Sequence, residues 1–288
     1  MIRSYLFVPG SKTNVLEKAI HSNADCVIVD LEDAVEYSQK DQAREVILDF
    51  FRNRNVDKPF IIRVNGHSTP FWKKDIETAV LINADGIMLP KPELGNVVET
   101  VCNNVTQLLK KYNKDNFEVI PLIESAKGVQ NAYEIAKSHR LVSRLAFGSI
   151  DFSLDVGCEL TRQGLELLYA RSKIVIASRC AEIQSPIDSV YSDLNDEEGL
   201  RNEAKLSKQI GFKSKLVIHP KQVETVNEVF SPAEADIENA REIVKAFEEA
   251  EKKGIASISV RNKMVDYPVY KKAKELLSMK KNLEKRKT

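Results

Sequence analysis

"VIPLIESAKG", residues 119–128, joins two features that rarely meet. Val119, Ile120, Leu122 and Ile123 read as a strand buried on both faces, yet the strand ends on a carboxylate, Glu124, followed by small residues and Gly128. Burying a charge is expensive unless it is paired or holds a metal. A core strand that carries a carboxylate to its own end therefore predicts a site at that end. "RLAFGSID", residues 144–151, repeats the arrangement with Asp151, 27 residues beyond Glu124.

Working outward, the same kind of run recurs along the chain. "SYLFVPG", "CVIVDLED", "FIIRVNG" and "GIMLPKPE" precede these two, and "PIDSVYSD" and "KLVIHPKQ" follow. The eight runs lie roughly 25 to 40 residues apart, each followed by a helix-like stretch. Continuous apolar strands alternating with helices imply a parallel sheet covered on both faces. Eight βα units predict a closed (β/α)₈ TIM barrel over residues 1–230, rather than an open doubly wound sheet. No G-x-G-x-x-G or P-loop follows any run, which argues against a nucleotide fold.

In such a barrel the loops after the strands build the active site. Those ends carry Pro9, Gly10, Asp30, Glu32, Asp33, Arg63, Asn65, Lys91, Glu124, Ser125, Asp151, Asp188 and His219. Beyond them, residues 231–288 read as a C-terminal helical extension without a large core. "SPAE", residues 231–234, predicts a helix start with Ser231 as N-cap, Pro232 in the first position and Glu234 closing a capping box. That helix is expected to run to about Lys253, with a last helix and a solvated basic tail after it.

Composition excludes several classes of function. The chain has 288 residues, 43% hydrophobic and 30% charged, with a formal net charge of +1, so nothing draws it as a whole to nucleic acid or an anionic membrane. No apolar run approaches the roughly 20 residues that cross a bilayer, and "MIRSYLFVPGS" is interrupted by Pro9 too soon for a signal peptide. The four cysteines, Cys26, Cys102, Cys158 and Cys180, form no C-x-x-C pair; they read as buried free thiols of a cytoplasmic protein.

Neighbouring strands lie about 4.8 Å apart, so Glu124 and Asp151, on the fifth and sixth strands, can reach one ion. Two carboxylates leaving exchangeable positions suit Mg²⁺. Spacing alone leaves open that they are unrelated loop carboxylates with salt-bridge partners. Arg63 ends the third strand beside "DLED", where a fixed guanidinium would polarise a carbonyl or hold an enolate oxygen. A salt bridge to Glu32 or Asp33 is compatible with that role. Lys91 raises a rival, a Schiff-base aldolase, and His219 reads equally as a base or as a structural hydrogen-bonding residue.

Taken together, "RSYLFVPGSK", "ADCVIVDLEDAV", "IIRVNG", "LPK", "PLIESAKG", "LAFGSIDFSLDVG", "ARSKIVIASR", "PIDSVYSDLNDEEGL", "IHPKQV" and "KMVDYPV" resemble the citrate lyase β-subunit-like branch of the HpcH/HpaI aldolase superfamily, close to malyl-CoA and citramalyl-CoA lyases. The resemblance covers nearly the whole chain. It implies a Mg²⁺-dependent TIM barrel that makes or breaks a carbon–carbon bond in a 3-hydroxyacyl thioester, giving a keto acid and an acetyl thioester. It also implies metal ligation by Glu124 and Asp151, with Arg63 facing the oxo group and Glu32 beside it in the catalytic group. Phe7, Pro9, Gly10, Lys12 and Lys18 are implied to contact the thioester or its coenzyme A. Where the family often has Pro-Gly-Asn-Arg, this chain has Pro9-Gly10-Ser11-Lys12, which keeps a point charge and gives up bidentate phosphate recognition. "KMVDYP" resembles a segment that supplies a catalytic aspartate, here Asp266, to a neighbouring subunit, which implies a homotrimer or homohexamer. Read without the resemblance, Asp266 is a turn residue before Tyr-Pro. Two further readings remain: the β subunit of a citrate lyase complex needing an acyl-carrier-protein partner and a separate transferase, and a thioester-binding protein without turnover.

Overall fold

The computed structural model describes residues 1–52, 54–252 and 254–284. The chain divides into two compact units, Ile2–Phe230 and Ser231–Thr288, the latter taking in Met1.

In the first unit, β1 (Ser4–Pro9), β2 (Cys26–Asp30), β3 (Phe60–Arg63), β4 (Gly86–Pro90), β5 (Glu118–Ile123), β6 (Ala146–Phe147), β7 (Ile187–Asp188) and β8 (Ser214–Val217) close in sequence order into a barrel. All pairings are parallel, and β1 pairs with β8 through Ser4 and Lys215, Tyr5 and Leu216, and Leu6 and Val217. The helices α1 (Thr13–Ile20), α2 (Lys40–Arg52), α3 (Trp72–Leu81), α4 (Gly95–Tyr112), α5 (Ala126–Gln130), α6 (Ala132–Ala136), α7 (Ser149–Val156), α8 (Leu168–Cys180), α9 (Glu197–Ile210) and α10 (Lys221–Phe230) follow the strands. This is a TIM barrel, and all eight strands form in the runs that carry their pattern.

Side chains alternate across a strand, and here the alternation divides the core in two. Tyr5, Cys26, Ile28, Ile61, Met88, Ile120, Leu122, Ala146, Ile187 and Leu216 fill the barrel interior. Leu6, Val8, Val27, Val29, Ile62, Ile87, Leu89, Val119, Ile123 and Val217 face outward into the layer under the helices. Truncating one such buried Leu or Ile to Ala costs about 2–5 kcal/mol.

Of the cysteines, Cys26 and Cys102 are buried as expected, whereas Cys180, at the end of α8, is exposed. No helix among the described residues is long and apolar enough to cross a membrane.

The second unit contains α11 (Glu234–Glu251), an antiparallel hairpin of β9 (Ile258–Val260) and β10 (Lys263–Val265), and α12 (Tyr267–Glu284). Helix α11 starts at Glu234 with Ala233, in extended backbone at ψ 148°, as its N-cap, two residues beyond the expected N-cap Ser231. Glu234 and Asp236 set negative charge against the helix N-terminus. The hairpin has no Gly-containing signal; Arg261 and Asn262, at φ 48° and 58°, supply the left-handed turn. Ala240, Ile243, Phe247, Val265, Tyr270 and Ala273 give this extension a small core of its own, with Phe247 and Tyr270 stacked at 4.7 Å. Lys253 and the tail from 285 onward lie outside the described residues.

Candidate active site

The inward parity that fills the barrel also writes its mouth. One step beyond the interior residues Ile28, Ile61 and Leu122 come Asp30, Arg63 and Glu124, and beyond Tyr5 come Phe7 and Pro9. All of these line one cavity of about 460 Å³, together with Asp33, Gly148, Ser149, Asp151 and Ser189.

Arg63 is clamped from one side. Its Nε and Nη2 donate to Asp30 Oδ1 at 2.8 Å and Oδ2 at 2.6 Å, a bidentate pair. Its Nη1 lies 3.1 Å from Glu32 Oε2 and 3.4 Å from Asp33 Oδ2, and its guanidinium sits 4.9 Å from the Phe7 ring centroid. Burial works against the Arg63 charge, but Asp30, Glu32 and Asp33 more than restore it, so the guanidinium stays protonated. Asp30 also accepts from the backbone N–H groups of Glu32 at 2.8 Å and Ala34 at 3.1 Å. The buried Lys40 ammonium donates to the carbonyls of Leu31 at 2.7 Å and Glu32 at 2.6 Å. These bonds fix the loop that carries Glu32.

Glu124 answers the question of the opening stretch. Its side chain is buried, and its Oε1 accepts from the backbone N–H of Lys91 at 2.9 Å. Burial first, then the neighbouring Glu32 and Asp151 carboxylates, push its pKa up to about 8. The chain approaches closely at Gly148: a Cβ there would fall 2.7 Å from Glu124 Oε2. Asp151 sits in the first turn of α7, half-exposed, with Lys91 Nζ at 3.4 Å. Lys91 Nζ is also 3.4 Å from Glu32 Oε1. Burial again leads in raising the Glu32 carboxyl above its ordinary range, with Arg63 and Lys91 pulling it only part of the way back.

Several expected residues lie elsewhere. Asp188, at the end of β7, has outward parity, so its carboxylate is buried against Arg171 and Lys215 instead of facing the mouth. Asn65 ties the loops after β2 and β3 to Asp75, with its Nδ2 donating to Leu31 O at 3.0 Å and Asp75 Oδ2 at 2.7 Å. His219 Nδ1 accepts from the Lys221 backbone N–H at 3.1 Å and so serves the start of α10, the structural reading. Ser125 caps α5 by accepting from Gly128 N–H at 3.1 Å. Gly10 donates its N–H to Asp30 O at 2.9 Å. Lys12 and Lys18 are exposed on and beside α1 and do not line the cavity. Asp266 belongs to the C-terminal unit, where its Oδ1 accepts from Val269 N–H at 3.2 Å at the start of α12. Lys91 is unsuited to imine chemistry: burial favours its neutral form, but Glu32, Asp33 and Asp151 outweigh that and hold it as an ammonium. The role of Asp30 as the clamp of Arg63 was missed; its only signal is that both residues end adjacent strands with the same parity.

Comparison with known proteins places this geometry. Residues 3–220 match the profile of HpcH/HpaI aldolase/citrate lyase. The chain belongs to that family. Residues 166–281 further match carbon–carbon bond lyases of the TIM-barrel fold, so the chain is an enzyme of a carbon–carbon lyase family. It is 36% identical over 96% of its length to the citrate lyase subunit beta of Leuconostoc mesenteroides, covering 92% of that protein. It is likewise 36% identical over 92% of its length to the (3S)-malyl-CoA thioesterase of Cereibacter sphaeroides, covering 89% of it. The CitE protein of Mycobacterium tuberculosis, solved with magnesium, acetoacetate and coenzyme A, superposes with a TM-score of 0.79 at 26% identity, over 96% of this chain and 97% of that one.

The donor set of this lyase fits a divalent cation. Five carboxylates (Asp30, Glu32, Asp33, Glu124 and Asp151) face the three cations Arg63, Lys91 and Lys40. Glu32 Oε2 is buried and makes no hydrogen bond, though it is ion-paired with Arg63 Nη1 at 3.1 Å. Among the described residues no three His, Cys, Asp or Glu side chains form a ready-made cage. Two carboxylates with the remaining positions open suit a hard cation that keeps several waters.

Proposed function

We propose that this enzyme is a Mg²⁺-dependent carbon–carbon lyase acting on a 3-hydroxyacyl thioester such as citramalyl-CoA or malyl-CoA. The observation that carries the reading is the excess of carboxylates around the buried Glu124, set beside an arginine that Asp30 holds in place. Glu124 and Asp151 would hold the ion, which when bound supplies Lewis-acid polarisation and a template for the substrate oxygens.

The chain's own groups then divide the remaining work. Glu32, whose Oε2 makes no hydrogen bond beyond its ion pair with Arg63 and whose proton affinity is raised by burial, accepts the proton of the substrate hydroxyl. The electron pair of that oxygen forms a carbonyl as the adjacent carbon–carbon bond breaks. A keto acid leaves, together with the enolate of the acetyl thioester. Arg63 Nη1 faces the charge that develops on oxygen, and the bidentate bond to Asp30 keeps it from reorganising. Phe7 and Pro9 shape the apolar wall. Lys12 and Lys18 meet the distal phosphates as point charges. Asp266, delivered by a neighbouring subunit of a trimer or hexamer, protonates the enolate carbon.

A panel of purified acyl-CoA thioesters with Mg²⁺ tests the reading. Release of pyruvate or glyoxylate with acetyl-CoA supports it; release of the intact hydroxy acid with free thiol means hydrolysis and overturns the cleavage chemistry. A second reading, the β subunit of a citrate lyase complex, is favoured by the likeness to the Leuconostoc subunit over 96% of this chain. Cleavage of a citryl thioester on a carrier protein, with the CoA thioesters inert, would select it. The assignment of Asp266 has its own test: Asp266→Asn mixed with Arg63→Ala should regain activity that neither variant has alone.

A further inference from the structure

Lys91 occupies a place that the cleavage chemistry does not explain. It stands between Pro90 and Pro92 just after β4, with its backbone at φ 53°. The left-handed region is unfavourable for a residue with a side chain, by about 1–2 kcal/mol. Three contacts account for its being held there. The backbone N–H is fixed on Glu124 Oε1 at 2.9 Å, and Nζ lies 3.4 Å from both Glu32 Oε1 and Asp151 Oδ1. The ammonium thus touches Glu32 and Asp151, while the backbone of the same residue holds the third carboxylate.

The two ends of Lys91 differ in how firmly they are attached. The N–H bond to Glu124 has ordinary hydrogen-bond length, whereas both Nζ contacts are long, and the side chain is 48% exposed. Long, partly exposed ion pairs contribute little, typically about 0–1 kcal/mol. The ammonium can therefore swing to solvent without disturbing the backbone bond.

We propose that Lys91 is a built-in counter-ion. It neutralises the acidic cluster when no divalent cation is present and gives up its place when one arrives. The inference rests on the reading that Glu124 and Asp151 hold such a cation. An ammonium in contact with Asp151 Oδ1 and a divalent ion on the same carboxylate repel each other, so the two compete. Lys91 then sets the cation affinity from within and keeps the cluster assembled in the cation-free protein.

Calorimetric titration of EDTA-stripped, full-length protein with MgCl₂ tests this, using the parent, Lys91→Gln, Lys91→Arg and Glu124→Gln. Removing a unit charge a few ångströms from a divalent ion should tighten Mg²⁺ binding by Lys91→Gln on the order of tenfold. Lys91→Arg, which keeps the charge, should stay close to the parent. In EDTA, Lys91→Gln should melt below the parent, and saturating MgCl₂ should close that gap. Should Lys91→Gln fold poorly, Lys91→Asn, which tolerates the left-handed region, repeats the titration. If the parent binds Mg²⁺ and Glu124→Gln does not, but the neutral Lys91 variants bind no more tightly than the parent, the counter-ion role is overturned and the cation site stands. If the parent binds no Mg²⁺, the cation reading falls and the competition with it.

Discussion

Two groups of opposite charges belong to this barrel, and they differ in whether they balance. Between the barrel wall and helices α8 and α9, Arg171 and Lys215 face Asp188 and Glu203. Arg171 Nε donates to Asp188 Oδ1 at 2.8 Å, and Lys215 Nζ donates to Asp188 Oδ2 at 2.7 Å and Glu203 Oε1 at 2.6 Å. Two cations meet two carboxylates there, and Arg171, Asp188 and Lys215 are fully buried. At the mouth, by contrast, five carboxylates face three cations. The two groups also titrate in opposite directions. Burial pushes Asp188 up, but Arg171 and Lys215 together draw it below the ordinary carboxylate range, whereas Glu124 rises to about 8. A network that only holds a fold matches its charges in number. One that awaits a ligand keeps an excess of one sign.

The sharpest way to break the contrast is to remove a charge from the balanced group. Lys215→Met should cost about 3–5 kcal/mol in urea unfolding, because Asp188 and Glu203 lose a buried partner. Mg²⁺ affinity should be unaltered in the protein that still folds. The next effect falls on catalysis. Arg63→Lys keeps the charge but loses the bidentate clamp to Asp30, and should lower kcat by about 10²-fold in a keto-acid release assay while cation affinity stays near the parent's.

A more gradual effect comes from pH. The Glu124 carboxyl is raised on folding from 4.5 to about 8, so its contribution to stability is full below pH 4.5 and is lost as the pH rises through 8. In EDTA, the protein should therefore become less stable between pH 5 and pH 8.5, by at most about 1.4 kcal/mol per pH unit from this group. Glu124→Gln should flatten that limb. Asp188 works the other way: its contribution is present above the ordinary carboxylate range and lost as acid protonates it. Smallest of all, Lys12→Ala should raise KM for a CoA thioester about two- to fivefold, the ~0.5–1 kcal/mol of an exposed charge, with kcat unchanged.

The two groups also differ in how legible they were. The strands of the barrel were written in their apolar runs, and strand ends with inward parity, Asp30, Arg63 and Glu124, fall where the pattern puts them. Asp188 looks the same in sequence, but one residue of register turns a strand-end side chain from the mouth to the outer layer. β6 and β7 are two residues each, so their register is set by neighbours and cannot be read locally. The hairpin at Ile258–Val265 went unread because Arg261 and Asn262 form its turn without glycine. Asp266 followed the chemistry of a helix start, a local role that says nothing about a neighbouring subunit.

The central claim, that the unbalanced charge at the mouth is a cation site, is met most directly by calorimetric titration of Mg²⁺ into the parent, Glu124→Gln and Asp151→Asn. The account predicts one bound ion in the parent and at least tenfold weaker binding in each variant, with all three proteins folded. Variants that bind Mg²⁺ as tightly as the parent would contradict it.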